Sequence, residues 1–433
     1  MSNEKTPMKV VLVGAGNRAN VYSTVSLEDP DLFQVVGIVD PDPVRTEFMR
    51  ERYSVPKENC FSSVPEFVSR EKFADAVING TMDAIHVETS IPVLEHGYDL
   101  LLEKPFAVNQ EEVQRLTEVA HRCGRKVYIC HVLRYTPYFS AIKKHILNGD
   151  IGKIVSIELC EHVNYHHMVV SYVRGKWRSE KLCAAPMLLA KSCHDIDIMI
   201  WMMNETRPVS VSSFGGDFQF GPERKPEGAG TRCLVDCPYV DSCNFSAKNN
   251  YVITPRWNQY VWKAIEGQAD QSIENVAESL KTYNSYGKCA WDFERDGNVD
   301  HQSVMIQFEN GATGTFQMTG GSAKSERNIH IVGTKGEIKG TFEDSKYTLR
   351  KIAPETQMGY ISEDYDLKVG GDMTGMVGGH GGGDPRLVRD FIDALHGKEL
   401  SISATTLDDS AVGHMVVFAA ERSRKNGGIP EKL

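Results

Sequence analysis

The chain contains no apolar run long enough to span a bilayer, and its N-terminal stretch MSNEKTPMKVVLVGAG lacks the basic region and cleavable apolar segment of an export signal. A membrane-spanning or exported protein is therefore not expected, and a soluble cytoplasmic one is. Positive charge is not in excess either: 48 Lys and Arg stand against 58 Asp and Glu, a formal net charge of −10. A nucleic acid or an anionic membrane would call for a basic surface to neutralise phosphates, so the expected ligand is a small molecule. There is no internal repeat of fixed period and no low-complexity tract. The C-x2-C pairs of structural zinc sites are missing as well. Cys233, Cys237 and Cys243 form a C-x3-C-x5-C run without a clear fourth ligand, so no metal is expected and the ten cysteines are read as free thiols of a reducing compartment.

At 433 residues with 41% apolar content, the chain is too long for one core and normal in its capacity to build two or three. Residues 1–133 alternate β-rich runs (VVLVGAG, VVGIVD, AVINGT, DLLLEKP, VYICHV) with helical patterns, the mark of βαβ units and a doubly wound parallel sheet of the Rossmann type. Residues 134–433 read differently. Helix candidates (YFSAIKKHILNG, PMLLAKSCHDIDIMIWMM) are followed by strands joined through short Gly-containing links (VSVSSFG, SVMIQFE, TGTFQMTG, NIHIVGT), which predicts an α+β domain with an open, mainly antiparallel sheet. A segment rich in Gly, Pro, Cys and aromatic residues, about 218–293, interrupts these strands and reads as an insertion near the substrate site. The fold class is α/β overall.

Gly14-Ala15-Gly16-Asn17-Arg18-Ala19 follows a strand and opens a helix, the context in which a glycine pattern predicts a dinucleotide site. Gly14 permits the tight turn, Gly16 lets backbone approach a pyrophosphate at the helix N-terminus, and Ala19 is small enough for close packing. Asp40 ends the next strand, 24 residues after Gly16, where a carboxylate accepts from ribose hydroxyls and repels the extra phosphate of NADP. NAD is the expected cofactor.

The run Leu102-Glu103-Lys104-Pro105 at a strand end resembles the Glu-Lys-Pro signature of the glucose-fructose oxidoreductase, inositol dehydrogenase and MocA family. Arg134-Tyr135-Thr136-Pro137, His194-Asp195-Ile196-Asp197 and Ile331-Val332-Gly333-Thr334-Lys335-Gly336-Glu337 extend the resemblance over nearly the whole chain. It implies hydride transfer at a carbinol carbon of a sugar, cyclitol or glycoside. It also implies a homo-oligomer, dimer or tetramer, built through the sheet domain. The expected cofactor contacts are Gly14, Gly16, Asn17, Arg18, Asp40, Thr81, Glu103, Lys104, Trp177 and Arg178.

Taking a hydroxyl proton requires a base held at the cleft, and Lys104 and His194 are the candidates. Members like inositol dehydrogenase carry an aspartate four residues before the histidine; here that position is Ala190, and Lys191 follows. Lys191 and His194 are three apart on a helix and share a face, which makes Lys191 a third catalytic candidate that favours a deprotonated histidine; the structural alternative is that it pairs with a carboxylate such as Asp195, or one from the insertion, and only fixes the helix. Tyr165, His166, Arg174 and His194 are the expected substrate contacts, because sugar sites combine hydrogen-bonding groups with aromatic platforms. The loop Gly378–Asp384 reads as a mobile connection ending at a helix N-cap, with His380 as a lid group. Two other functions use the same parts: an NAD-dependent glycosidase working by transient oxidation, elimination, hydration and re-reduction, and a dinucleotide sensor without turnover.

Overall fold

A computed structural model describes residues 6–367 and 379–433; the first five residues of the N-terminal stretch and Gly378 of the glycine loop lie outside them. The chain divides into two compact units. The first comprises Met1–Gly152, Ile196–Asn204 and Asp364–Phe418, and the second Lys153–Asp195, Glu205–Glu363 and Ala419–Leu433. The units interleave along the chain.

In the first unit the strands β1 (Met8–Val13), β2 (Phe33–Val39), β3 (Cys60–Phe61), β4 (Ala76–Asn79), β5 (Asp99–Leu102) and β6 (Val127–Ile129) form a parallel sheet in the order β3-β2-β1-β4-β5-β6. The order reverses between β1 and β4, which is where open α/β sheets bind ligands. Val10, Val11 and Leu12 of β1 are fully buried, as a strand covered on both faces must be. The crossover helices are capped from the sequence. Asp42 accepts from the amides of Val44 and Arg45 at the start of Pro43–Tyr53, and Asn109 accepts from the Glu112 amide at the start of Gln110–Cys123.

Arg134, just after β6, explains why later segments return to this unit. Its guanidinium is buried and grips Asp197 twice, Nε to Oδ2 at 2.7 Å and Nη2 to Oδ1 at 2.6 Å, while Nη1 reaches Asp409 and the Ala404 carbonyl. Asp197 lies on the helix Cys193–Met202 and Asp409 on the helix Leu407–Lys425.

In the second unit β7 (Ile154–Asn164), β8 (Pro208–Gly216), β9 (His301–Phe308), β10 (Thr313–Ser322), β11 (Glu326–Gly333), β12 (Gly336–Thr341), β13 (Lys346–Ile352), β14 (Tyr360–Asp366) and β15 (Glu431–Lys432) make a sheet ordered β14-β13-β12-β11-β7-β10-β9-β8-β15. From β13 to β15 its pairs are antiparallel except that β7 runs parallel to β10. The short link from β10 to β11 reverses the chain, and β7 occupies the slot between them, so it must be parallel to one of the two. β9 alternates exposed and buried residues along its whole length, so one face of the sheet is covered and the other is not. The insertion leaves at the end of β8 and returns at the start of β9 with helices such as Asn258–Trp262 and Ile273–Lys281. No helix among the described residues is long and apolar enough to cross a membrane.

Arg134→Met strands the buried Asp197 carboxylate and is expected to cost about 3–5 kcal/mol. Adding Asp197→Leu removes the stranded charge, so the double variant should unfold at higher urea than the single one. A double variant that is no more stable would show that the pair does not hold this segment.

Candidate active site

Of the residues expected in the site, Gly14, Gly16, Asn17, Arg18, Asp40, Thr81, Glu103 and Lys104 belong to the first unit, and Tyr165, His166, Arg174, Trp177, Arg178, Lys191 and His194 to the second. Each group is built by its own local chemistry.

In the first unit, Gly14 has φ +85°, and a Cβ there would stand 2.9 Å from the Gly80 carbonyl carbon and the Thr81 nitrogen, so only glycine fits where the turn crosses the end of β4. Asp40 holds the turn. Its carboxylate accepts from the amides of Ala15 at 2.7 Å and Asp42 at 2.8 Å. The helix Asn17–Ser23 starts at Gly16 with no side-chain cap, which leaves its first amides to a ligand. These features fit a dinucleotide: a turn without side chains, open amides, and a carboxylate with lone pairs left over for hydroxyls.

Two of the expected cofactor contacts, Arg18 and Glu103, pair with each other. Arg18 donates to Glu103 (Nε, 2.8 Å), to Asp384 (Nη2, 2.6 Å) and to the Tyr22 hydroxyl (2.7 Å). The buried Glu103 also accepts from Tyr22 at 2.7 Å and from the Lys104 amide at 2.6 Å. Burial works against its ionisation, but the charges of Arg18 and Lys104 outweigh that and keep its carboxyl below the usual range. The result is a clamp from the glycine-loop helix to the backbone of Lys104. Thr81 is set by Asn79, whose side-chain oxygen accepts from the Thr81 hydroxyl at 2.8 Å, and His86 lies against the carbonyls of Pro105 (2.7 Å) and Thr81 (3.2 Å).

The expected N-cap role of Asp384 is not seen. Its carboxylate serves Arg18 and the His380 ring, 3.2 Å away, and the backbone at His380, Gly381 and Gly382 is left-handed, so the helix becomes regular only after them. Two further buried histidines escaped the sequence reading. His131 stands two residues after β6, and burial, then the charges of Arg134 and Lys104, hold its ring well below the usual histidine range. For His414, whose ring lies 4.0 Å from that of Phe106, burial is again first, with His131 and Lys104 behind it. The position of His131 at the C-terminal end of a strand was the available signal; His414 had none.

In the second unit the shared helical face predicted for Lys191 and His194 is corrected. The helix Met187–Ala190 ends before Lys191, and a new one, Cys193–Met202, begins before His194. Lys191 Nζ pairs with Glu161 Oε1 at 2.6 Å, the structural alternative with a different carboxylate from the one expected. Glu161 and Arg327 are directly opposite each other on β7 and β11 and form an ion pair, and Arg327 Nε donates to Asp195 Oδ1 at 2.9 Å. Two carboxyls thus share this cluster with opposite outcomes. Burial would raise Glu161, but Arg327 and Lys191 hold it low, whereas burial raises Asp195 to about 8 against the pull of Arg327. Glu161 and Arg327 occupy inward positions of their strands, in step with Ile157, Leu159 and Val163 and with Ile329 and Ile331, so a charge at a core position was the sequence signal.

Arg174 finds its partners in the insertion. It is fully buried and points into the insertion, donating to the Lys288 carbonyl at 3.0 Å and the Tyr251 hydroxyl at 3.3 Å, with the Cys233 sulfur at 3.5 Å. Tyr165 and His166 stand at the end of β7, with Asn164 capping their turn through the His167 amide at 2.9 Å. Trp177 packs between Tyr172 and Tyr260, and the Arg178 guanidinium lies over the Phe293 ring. His194 is buried. Among the described residues no group of three or more His, Cys, Asp or Glu side chains is arranged to hold a metal, and all ten cysteines are free.

A sequence profile described as the NAD-binding Rossmann fold of an oxidoreductase family matches residues 8–131, and one for that family's C-terminal alpha/beta domain matches 143–430. The putative oxidoreductase YteT of Bacillus subtilis is 25% identical over 83% of this chain and 82% of its own. The inositol 2-dehydrogenase of Corynebacterium glutamicum strain R is 21% identical over 47% of this chain and 56% of its own. Among solved structures, an inositol dehydrogenase homolog complexed with NAD+ from Azotobacter vinelandii superposes with TM-score 0.70 at 16% identity, covering 100% of this chain and 98% of that one. The WlbA dehydrogenase of Bordetella pertussis, in complex with NADH and UDP-GlcNAcA, gives 0.65 at 16% identity over 99% and 98%.

Because Asp195 holds its proton in the folded chain up to about pH 8 and loses it near pH 4 in the unfolded one, the native state binds more protons between those limits, and stability falls as pH rises through that window. Glu161 acts oppositely and only in acid: its contribution is present above the ordinary carboxylate range and is lost below it. Asp195→Asn should therefore gain on the wild type from about pH 5 to pH 8 by up to about 1.4 kcal/mol per pH unit. Parallel melting-temperature profiles for the two proteins would contradict the assignment.

Proposed function

The chain belongs to the glucose-fructose oxidoreductase, inositol dehydrogenase and MocA family of NAD-binding oxidoreductases, and on that premise we propose that it oxidises a carbinol carbon of a sugar, cyclitol or glycoside. The observation that carries the reading is the Glu103 clamp. It ties the backbone of Lys104 to Arg18 on the helix that follows the glycine turn, so the lysine is fixed relative to the dinucleotide-binding loop. Bound NAD supplies the hydride acceptor. Everything else falls to side chains. Lys104 and His194 are assigned the hydroxyl proton, Tyr165 and His166 the substrate oxygens, and Trp177 and Arg178 the nicotinamide side. Lys191, paired with Glu161, is assigned to holding the end of β7. A cytoplasmic setting is part of the same proposal, and Phe214 and Met305, exposed on the uncovered sheet face, support a homo-oligomer.

Asp40 supports NAD over NADP. Asp40→Asn keeps an oxygen for the Ala15 amide and removes the charge, so NADP should gain about tenfold relative to NAD in fluorescence titrations. Equal binding of both cofactors by the wild type would remove the argument.

Incubating the protein and NAD with a panel of free sugars and glycosides, while following NADH absorbance and aglycone release together, tests the reaction. NADH without aglycone is the expected result; aglycone without net NADH identifies redox-neutral glycoside cleavage instead. Lys104→Met and His194→Ala should each lower turnover by about two orders of magnitude or more, with NAD affinity held within a few fold. Near-normal turnover in either variant would reassign that residue.

A further inference from the structure

We propose that Trp257, supplied by the insertion, is a positioning residue that fixes His166 as a neutral ring with its proton on Nε2, so that His166 gives a hydrogen bond to a substrate oxygen and takes no proton from it. The argument starts from donor chemistry. An indole N–H can only donate. Trp257 Nε1 stands 3.0 Å from His166 Nδ1, so Nδ1 must present its lone pair, and a neutral imidazole then carries its proton on Nε2. Protonating the ring would set two N–H groups against each other. One contact therefore selects both the tautomer and the charge state.

The groups around the ring act in the same direction. On its own turn, Tyr165 meets it edge-on at 5.1 Å and His167 is the neighbour in the chain; from the insertion come Trp257 and the cation Arg256. Burial, then the Arg256 charge, lower His166 to about 4, and no carboxylate is among the groups that shift it. The indole itself cannot turn freely. It stacks on His167 at 3.9 Å and 20°, it lies 6.0 Å from the Tyr260 ring, and its backbone sits at φ 55°, ψ 34°, a left-handed region rarely occupied by a residue with a bulky side chain. Nε2 of His166, by contrast, has no protein partner among the described residues. That this nitrogen serves a substrate rests on reading the end of β7 as the substrate side; the tautomer does not.

The test is NMR of the full chain labelled with 15N-histidine, with the His166 signals identified by their loss in His166→Gln. The wild type should show a bare Nδ1 and a protonated Nε2 that persist from about pH 8 to about pH 5. Trp257→Phe keeps the ring stack on His167 and lacks the N–H; there His166 should populate both neutral tautomers, while burial and the Arg256 charge still keep the ring unprotonated at neutral pH. A proton on Nδ1 in the wild type overturns the proposal, and that spectrum decides even if the variant does not fold. Unchanged His166 signals in a folded Trp257→Phe overturn it as well. No substrate enters the measurement, so a failed sugar assay and a failed tautomer are separate results.

Discussion

A guanidinium buried in protein cannot shed its charge, so it must find carboxylates wherever the chain can provide them. Arg134 stands at the end of the last strand of the parallel sheet, and its partners are Asp197, 63 residues later, and Asp409, 275 residues later. Meeting that one requirement draws the C-terminal half of one helix and most of another into the first unit. The lysine-bearing strand end, the buried His131 and the returning helix with His414 all lie in the unit this pair holds together.

The same device recurs at the glycine turn. Arg18 joins Glu103 to Asp384, residues that are far apart in sequence, and Glu103 passes the constraint on to the Lys104 amide. A lysine held only by its own side chain would retain many rotamers. One whose backbone is fixed by a buried ionised carboxylate begins from a defined point, which is the condition for aligning a proton acceptor with a reacting hydroxyl.

In the second unit, electrostatics produces neutral groups rather than charged ones. Burial pushes His166 and His167 down, so that the rings following β7 are held neutral, and it pushes Asp195 up against the pull of Arg327. The charges there are internally matched, Glu161 and Glu343 with Lys191 and Arg327. A polyhydroxyl ligand needs this arrangement of directional donors and acceptors without a dominating net field.

Much of this was legible in the sequence. Glycine at 14, the strand before it, Asp40 after the next strand and the Glu-Lys-Pro run predicted the parallel sheet and its cofactor end, because these depend on local rules of turn geometry, periodicity and helix starts. The alternating strands after residue 200 likewise predicted the mainly antiparallel sheet. Other contacts were not legible, because the partner is distant in sequence. Arg18 and Arg174 are cations in motif-rich stretches, yet one is taken up by Glu103 and Asp384 and the other by the insertion. Lys191 and His194 looked like neighbours on a helix that in fact breaks between them. The sequence by itself determined the elements, their order and the residue types able to bind a dinucleotide and move a proton. Only the tertiary structure decided which charges are matched internally and which rings are held neutral, because desolvation and pairing depend on neighbours that the chain brings together from tens or hundreds of residues apart.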